Sequence, residues 1–282
     1  MTTSSADFAG PAGPHSDPPI VLIAPAMAIG SHFYAPLVTA FAEHGWSAQT
    51  LPRRGFERGE PRASRDHDWS YQDEIDTITH TVARIRHQYP ARPVLVLGHS
   101  LGAQLAAGQA INHPGADGLV TIGGCLPHHR HFAAYGVHVA AMAALVPALT
   151  SAFGYLPPPA FGAPGARTLM REWARMVLTG RTPFPSKRTI DIPALVIALE
   201  RDSLAPEPGV DEFARRLFEP DVATRWNYRT DEVPAGGSNG HVNWVRTPQP
   251  VVDRIVSWWK SAAPQRNTAP IPRTAQADQN LI

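Results

Sequence analysis

Short apolar runs alternate with longer segments of helical period through most of this chain, and that alternation constrains the fold more than any other feature. The runs are Ile20–Ala24, Ser47–Leu51, Val94–Leu97, Gly118–Gly123, Ala194–Leu199 and Thr224–Tyr228. Helical patterns cover Phe33–Glu43, Gln72–His87, Leu101–Asn112 and Val210–Phe218, and Val251–Lys260 closes the series. Parallel strands need long crossovers, usually helices, and strands covered on both faces read as continuous apolar runs. The pattern predicts an α/β fold, a mostly parallel β-sheet flanked by helices. A chain of 282 residues is long enough for one such domain.

One interval breaks the rhythm. From about Leu126 to Arg188 there is no strand pattern, only two apolar helical patterns and the proline-rich stretch GYLPPPAFGAPG. That is too long for a structureless loop in a compact domain. The expected layout is therefore a core at 19–125 and 189–261, with a helical cap at 126–188 over the C-terminal edge of the sheet. Ligands sit at that edge in open α/β folds. The stretch Phe132–Thr150 is the most apolar, but His138 and Pro147 interrupt it. It reads as a buried or pocket-covering helix rather than a membrane span. Residues 1–18 and 262–282 are polar and proline-broken and read as flexible tails.

Charge and cysteine content narrow the function classes. A net charge of +1 supplies no overall field to attract nucleic acid or an anionic membrane, so neither is an expected partner. With Cys125 alone, no internal disulfide can form. The first residues have neither the basic start nor the apolar core of a secretory signal. The expectation is a soluble, cytoplasmic protein acting on a small molecule.

Chemistry enters at VLVLGHSLGAQLAAG, residues 94–108. Gly98-x-Ser100-x-Gly102 is too short a pattern to decide anything alone. Its context is a strand, a sharp turn and an alanine-rich helix, which is the arrangement that lifts a serine hydroxyl out of a strained turn. The absence of a Walker lysine or a dinucleotide glycine fingerprint argues against nucleotide binding. A hydroxyl needs a base, and the base needs an orienting acid. His241, in the glycine-rich PAGGSNGH after the last strand, is the candidate base. Asp202, directly after Ala194–Leu199, is the candidate acid, with Glu200 and Asp231 as competitors. His99, inside the turn, is expected to pack rather than react.

The order Ser100, Asp202, His241 on this strand pattern resembles the α/β-hydrolase fold superfamily over roughly residues 20–260. ERDSLAP is similar to that family's D-x-x-x-P acid loop and NGH to its histidine loop. GHSLGAQ and APAMAIGSHFYAPLVTAFAEHGW resemble a bacterial branch whose first loop reads P-A-x-G. The resemblance implies an oxyanion hole built from two backbone amides, Leu101 and Met27, with Ala26 as the alternative to Met27. The family's Asp-x-Arg-Gly-x-Gly loop is LPRRGFERG here, with Pro52 and Glu57 at two of its signature positions, and it is expected to turn without a catalytic role. The family's dehalogenases and epoxide hydrolases use an aspartate nucleophile, against which Ser100 counts.

Residues after Gly118–Gly123 and near His241 are candidates for the substrate pocket: Cys125, His128, His129 and Trp244. The alternative for Cys125 is a buried inert thiol, and for the histidines a polar helix start. The segment PHHRH is too tight and lacks an acidic partner, so no metal is expected. No cofactor is implied. Gln104, one turn beyond Ser100, is expected to wedge beneath the loops of the site, and Trp69 and Trp173 to serve the core.

These elements together predict a serine hydrolase that cleaves a lipophilic ester or thioester through an acyl-enzyme. The same residues on the same fold also serve acyl transfer, cyclisation, lyase or isomerase chemistry. A non-catalytic binding protein is the remaining rival.

Overall fold

The computed structural model describes residues 17–159, 162–186 and 188–262. Apart from their innermost positions, the tails expected at 1–18 and 262–282 lie outside those residues. In chain order the elements are β1 (Ile20–Ala24), α1 (Ala35–Glu43), β2 (Ser47–Thr50), α2 (Tyr71–Gln88), β3 (Val94–His99), α3 (Leu101–Asn112) and β4 (Gly118–Ile122). There follow α4 (Gly136–Phe153), α5 (Arg167–Thr179), β5 (Ala194–Leu199), α6 (Glu207–Leu217), β6 (Ala223–Tyr228) and α7 (Gln249–Ala262).

The strands form one parallel six-stranded sheet in the order β2-β1-β3-β4-β5-β6. Alternate side chains feed two cores. Leu22, Val94, Val96 and Leu119 face α2, α3 and α6, while Val21, Ile23, Leu95 and Leu97 face α1 and α7. Strands buried on both faces have no polar side to present, which is why they read as unbroken apolar runs.

Register fixes where chemistry can occur. Ala24 pairs with Gly98, His99 with Ile122, Ile122 with Ile197, and Leu199 with Tyr228. The loops after β1, β3, β4, β5 and β6 therefore leave the sheet along one edge.

Differences from the sequence expectation concern element ends and one helix. Three helices start elsewhere than expected because each carries a proline in its first turn: Pro36, Pro208 and Pro250. Proline lacks an N–H that the first turn would leave unpaired anyway. Residues 31–34 form a separate 3-10 turn before α1. The stretch Phe132–Thr150 is mostly helical, but not buried as a whole: α4 turns Val139, Ala143, Val146 and Thr150 inward and leaves most of its other positions exposed.

Candidate active site

The turn after β3 is made by what its glycines omit. A Cβ on Gly98 would stand 2.4 Å from the carbonyl oxygen of Gly102, and one on Gly102 would stand 2.0 Å from that of Ala24. No side chain fits at either position. Between them Ser100 adopts φ 55° and ψ −115°, a conformation that costs a non-glycine residue about 1–3 kcal/mol. Its amide donates to the Ile122 carbonyl at 2.9 Å, which anchors the turn to β4.

Two later loops converge on the Ser100 hydroxyl. His241 Nε2 lies 2.9 Å from Ser100 Oγ, and His241 Nδ1 lies 2.6 Å from Asp202 Oδ2. The other Asp202 oxygen accepts the amides of Leu204 at 2.8 Å and Ala205 at 3.1 Å. Burial alone would push the Asp202 carboxyl up; the His241 ring and the two amides outweigh it and hold the group below the ordinary carboxylate range. The competing acids are engaged elsewhere. Glu200 accepts the amide and hydroxyl of Thr230, and Asp231 pairs with Arg229.

His99 packs, as expected, but it also makes specific contacts. Its Nε2 lies 2.7 Å from the His241 carbonyl oxygen, which can only accept, so Nε2 carries the proton. Nδ1 must then accept from the Tyr34 hydroxyl, 2.8 Å away. The Tyr34 oxygen in turn accepts the Ala26 amide at 2.8 Å. Burial, followed by the neighbouring His241, lowers the His99 pKa from 6.5 to about 3, so the ring is neutral.

That chain bears on the loop after β1. The Ala26 N–H is committed to Tyr34, which removes Ala26 as a free donor. Among the described residues, neither the Met27 nor the Leu101 amide has an acceptor, and both residues line the cavity over Ser100. Arg53 braces the same loop from beneath. Its guanidinium donates to the Pro25 carbonyl and pairs with Glu74 at 3.0 Å, both side chains being buried. Glu57, at one departure from the family pattern, accepts the Ser31 amide and hydroxyl and the Arg53 amide. The capping box of Ser70 and Asp73 fixes the start of α2, which carries Glu74 and also Tyr71.

The cavity measures about 210 Å³ and is lined mainly by apolar groups, including Ile29, Phe132, Val139, Met142 and Trp173. Of the expected pocket residues, Cys125 lines it, with its thiol buried and its pKa pushed up. Trp244 does not: it is fully buried behind His99, with ring centroids 5.3 Å apart. His128 and His129 do not line it either, and His129 Nδ1 lies 3.2 Å from the Val177 carbonyl oxygen. Trp173, expected in the core, is mostly buried yet contributes to the cavity wall. Gln104 wedges as expected, accepting from the Tyr71 hydroxyl at 2.9 Å and donating to the Cys125 carbonyl at 2.9 Å. Phe132, Tyr135, Val139 and Met142 had no signal beyond apolarity, because only the packing of α4 and of the 3-10 segment before it over the sheet edge brings them to the cavity. Among the described residues no cluster of His, Cys, Asp and Glu could hold a metal ion.

A parallel sheet whose loops meet over a serine in a strand-turn-helix elbow defines an enzyme of the α/β-hydrolase class. Residues 16–159 match the family described as serine aminopeptidase, S33, and the chain belongs to that family. Solved structures share the fold at low identity. A soluble variant of monoglyceride lipase from Saccharomyces cerevisiae is 13% identical, with a TM-score of 0.64, covering 87% of each chain. An esterase of Pyrococcus furiosus is 16% identical, with a TM-score of 0.58, covering 89% of this chain and 84% of that one. A bromoperoxidase from Bacillus anthracis is 15% identical, with a TM-score of 0.54, covering 86% and 92%. No curated protein matches the sequence.

Proposed function

We propose that the protein is a serine hydrolase that cleaves a small lipophilic ester or thioester, with Ser100 as nucleophile, His241 as general base and acid, and Asp202 as the orienting acid. The observation that carries this reading is the unbroken hydrogen-bond chain from Ser100 Oγ through the His241 ring to Asp202. Ser100 Oγ attacks the acyl carbon while His241 Nε2 takes its proton. The carbonyl oxygen becomes an oxyanion facing the Leu101 and Met27 amides, each worth about 2.7–4 kcal/mol to such a transition state. Collapse expels the alcohol or thiol, protonated by His241. Water, deprotonated by His241, then attacks the acyl-enzyme, and the released serine regains its proton.

The cavity favours an apolar acyl group. Among the described residues, its lining contains no carboxylate or guanidinium. A free α-amino group, the handle that an aminopeptidase must grip, would have no counter-ion there, so the ester reading is preferred over the peptidase activity in the family's description. The region 126–188 acts as the cap of this site through α4 and α5.

The test is labelling by a fluorophosphonate probe together with turnover of esters and thioesters of increasing chain length. The wild-type protein is expected to label and to prefer longer acyl chains, and Ser100→Ala to do neither. Identical profiles from both proteins would refute the nucleophile. Incorporation of oxygen from labelled water into the acid separates hydrolysis from acyl transfer.

A further inference from the structure

The outer face of α4 is the least ordinary surface of this molecule. The helix Gly136–Phe153 contains no Asp, Glu, Lys or Arg. Helices that are apolar all round belong in a core or a bilayer. The run His129–Phe153 is indeed long and apolar enough to cross a membrane. Yet only its inner stripe is used, against α5 and the cavity. Val137 is 73% exposed and Leu145 59%, and Phe153 is about half exposed. The patch continues to the cavity mouth, where Tyr135 and Leu204 are exposed and also line the pocket.

Charge says what covers this face. Region 126–188 holds six arginines and a lysine against a single acid, Glu172. Its net charge is therefore +6, in a chain whose total is +1. The whole-chain balance, which argued against an anionic membrane, hides this asymmetry. The arginines frame the apolar face. Arg171 bonds to Thr150 Oγ1 and Ser151 Oγ, and Arg65 donates to the Ala152 carbonyl, so both sit at the carboxyl end of α4. Arg130 is exposed before its amino end, and Arg175 lies one turn beyond Arg171 on the exposed side of α5.

We infer that α4, with its arginine frame, docks this protein on an anionic phospholipid surface, with the cavity mouth toward the lipid. The helix lies along the interface rather than crossing it, because Val139, Ala143 and Val146 are committed to the protein. Exposed apolar groups enter the acyl boundary and the arginines meet phosphates.

The test uses the full chain carrying Ser100→Ala, so it does not rest on the hydrolase reading. Partitioning is measured by flotation onto vesicles of phosphatidylcholine alone or of equimolar phosphatidylcholine and phosphatidylserine. Binding is expected to the mixed vesicles, and more weakly to phosphatidylcholine alone. Leu145→Glu should lower it on the order of tenfold, and Arg175→Gln about fivefold, for the one charge removed. Circular dichroism checks that each variant is folded. As a second readout that leaves the charges intact, Leu145→Cys carrying an environment-sensitive fluorophore should shift to the blue on mixed vesicles, and the same label at Asp253→Cys, on the opposite sheet face, should not. The proposal is overturned if the folded protein ignores both vesicles, if the two compositions bind it equally, or if Leu145→Glu leaves binding unchanged. It is equally overturned if the protein sediments as a dimer that Leu145→Glu dissociates, since the face would then belong to a second copy.

Discussion

His99 Nε2 lies 2.7 Å from the carbonyl oxygen of His241, although 142 residues separate them in sequence. With Tyr34 bridging His99 to the Ala26 amide, one buried ring couples the loop bearing the candidate base to the loop facing the candidate oxyanion site.

His99→Leu should therefore act on positioning. It removes both bonds and leaves a buried carbonyl and a buried hydroxyl under-satisfied, at a cost of about 1–3 kcal/mol each. Displacing the imidazole by even a fraction of an ångström is expected to lower kcat about 10–100-fold with little change in KM. Steady-state kinetics beside chemical denaturation separates the two effects. A fall in stability with kcat intact would mean that His99 only packs.

The same ring makes stability depend on pH. Its pKa in the folded protein is about 3, against an ordinary 6.5, so between those values the unfolded chain binds a proton that the folded chain refuses. The contribution is fully present above pH 6.5 and is lost as pH falls toward 3, on the order of 5 kcal/mol at most. Asp202, also held low, adds a loss of the same sign at the acid end of that window. Urea midpoints measured from pH 7 to pH 4 should fall in the wild-type protein and fall less in His99→Leu.

Backbone strain at Ser100 gives a stability prediction independent of turnover. At φ 55° and ψ −115° alanine suffers as serine does, but glycine does not. Ser100→Gly is expected to be about 1–2 kcal/mol more stable than Ser100→Ala. Equal thermal midpoints for the two would count against strain at this turn.

Assignment of the acid can be tested by contrast. Asp202→Asn keeps the shape but loses the charge that orients His241, and activity should fall by roughly 10³–10⁴-fold. Glu200→Gln, whose carboxylate serves Thr230, should stay within about twofold of wild type. Ester hydrolysis rates for both variants decide between the acids.

Much of this was legible in the residues. Continuous apolar runs locate the four inner strands β1, β3, β4 and β5, because burial on both faces leaves no room for polar alternation, whereas the edge strands β2 and β6 are polar and partly exposed. Gly98 and Gly102 announce the elbow, since their side-chain positions are filled by backbone. What could not be read is what packing alone decides. Nothing in LPRRGFERG says that Arg53 rather than Arg54 turns inward to meet Glu74, or that Glu57 ties Ser31 to Arg53. Trp244 and Trp173 look alike in a sequence, yet one is sealed behind His99 and the other walls the cavity. Ala26 and Met27 were separable only once the Tyr34 hydroxyl had claimed an amide.

The strand order has a consequence for biosynthesis. Ser100 leaves the ribosome 141 residues ahead of His241, and β5 and β6 join the sheet at its last-made edge. A nascent chain that has made β1 to β4 already holds the residues of the elbow, but His241, the proposed base, is still to come. With His241 as the proposed base, the newborn chain is thus disarmed by its own connectivity until the loop after the final strand has been made.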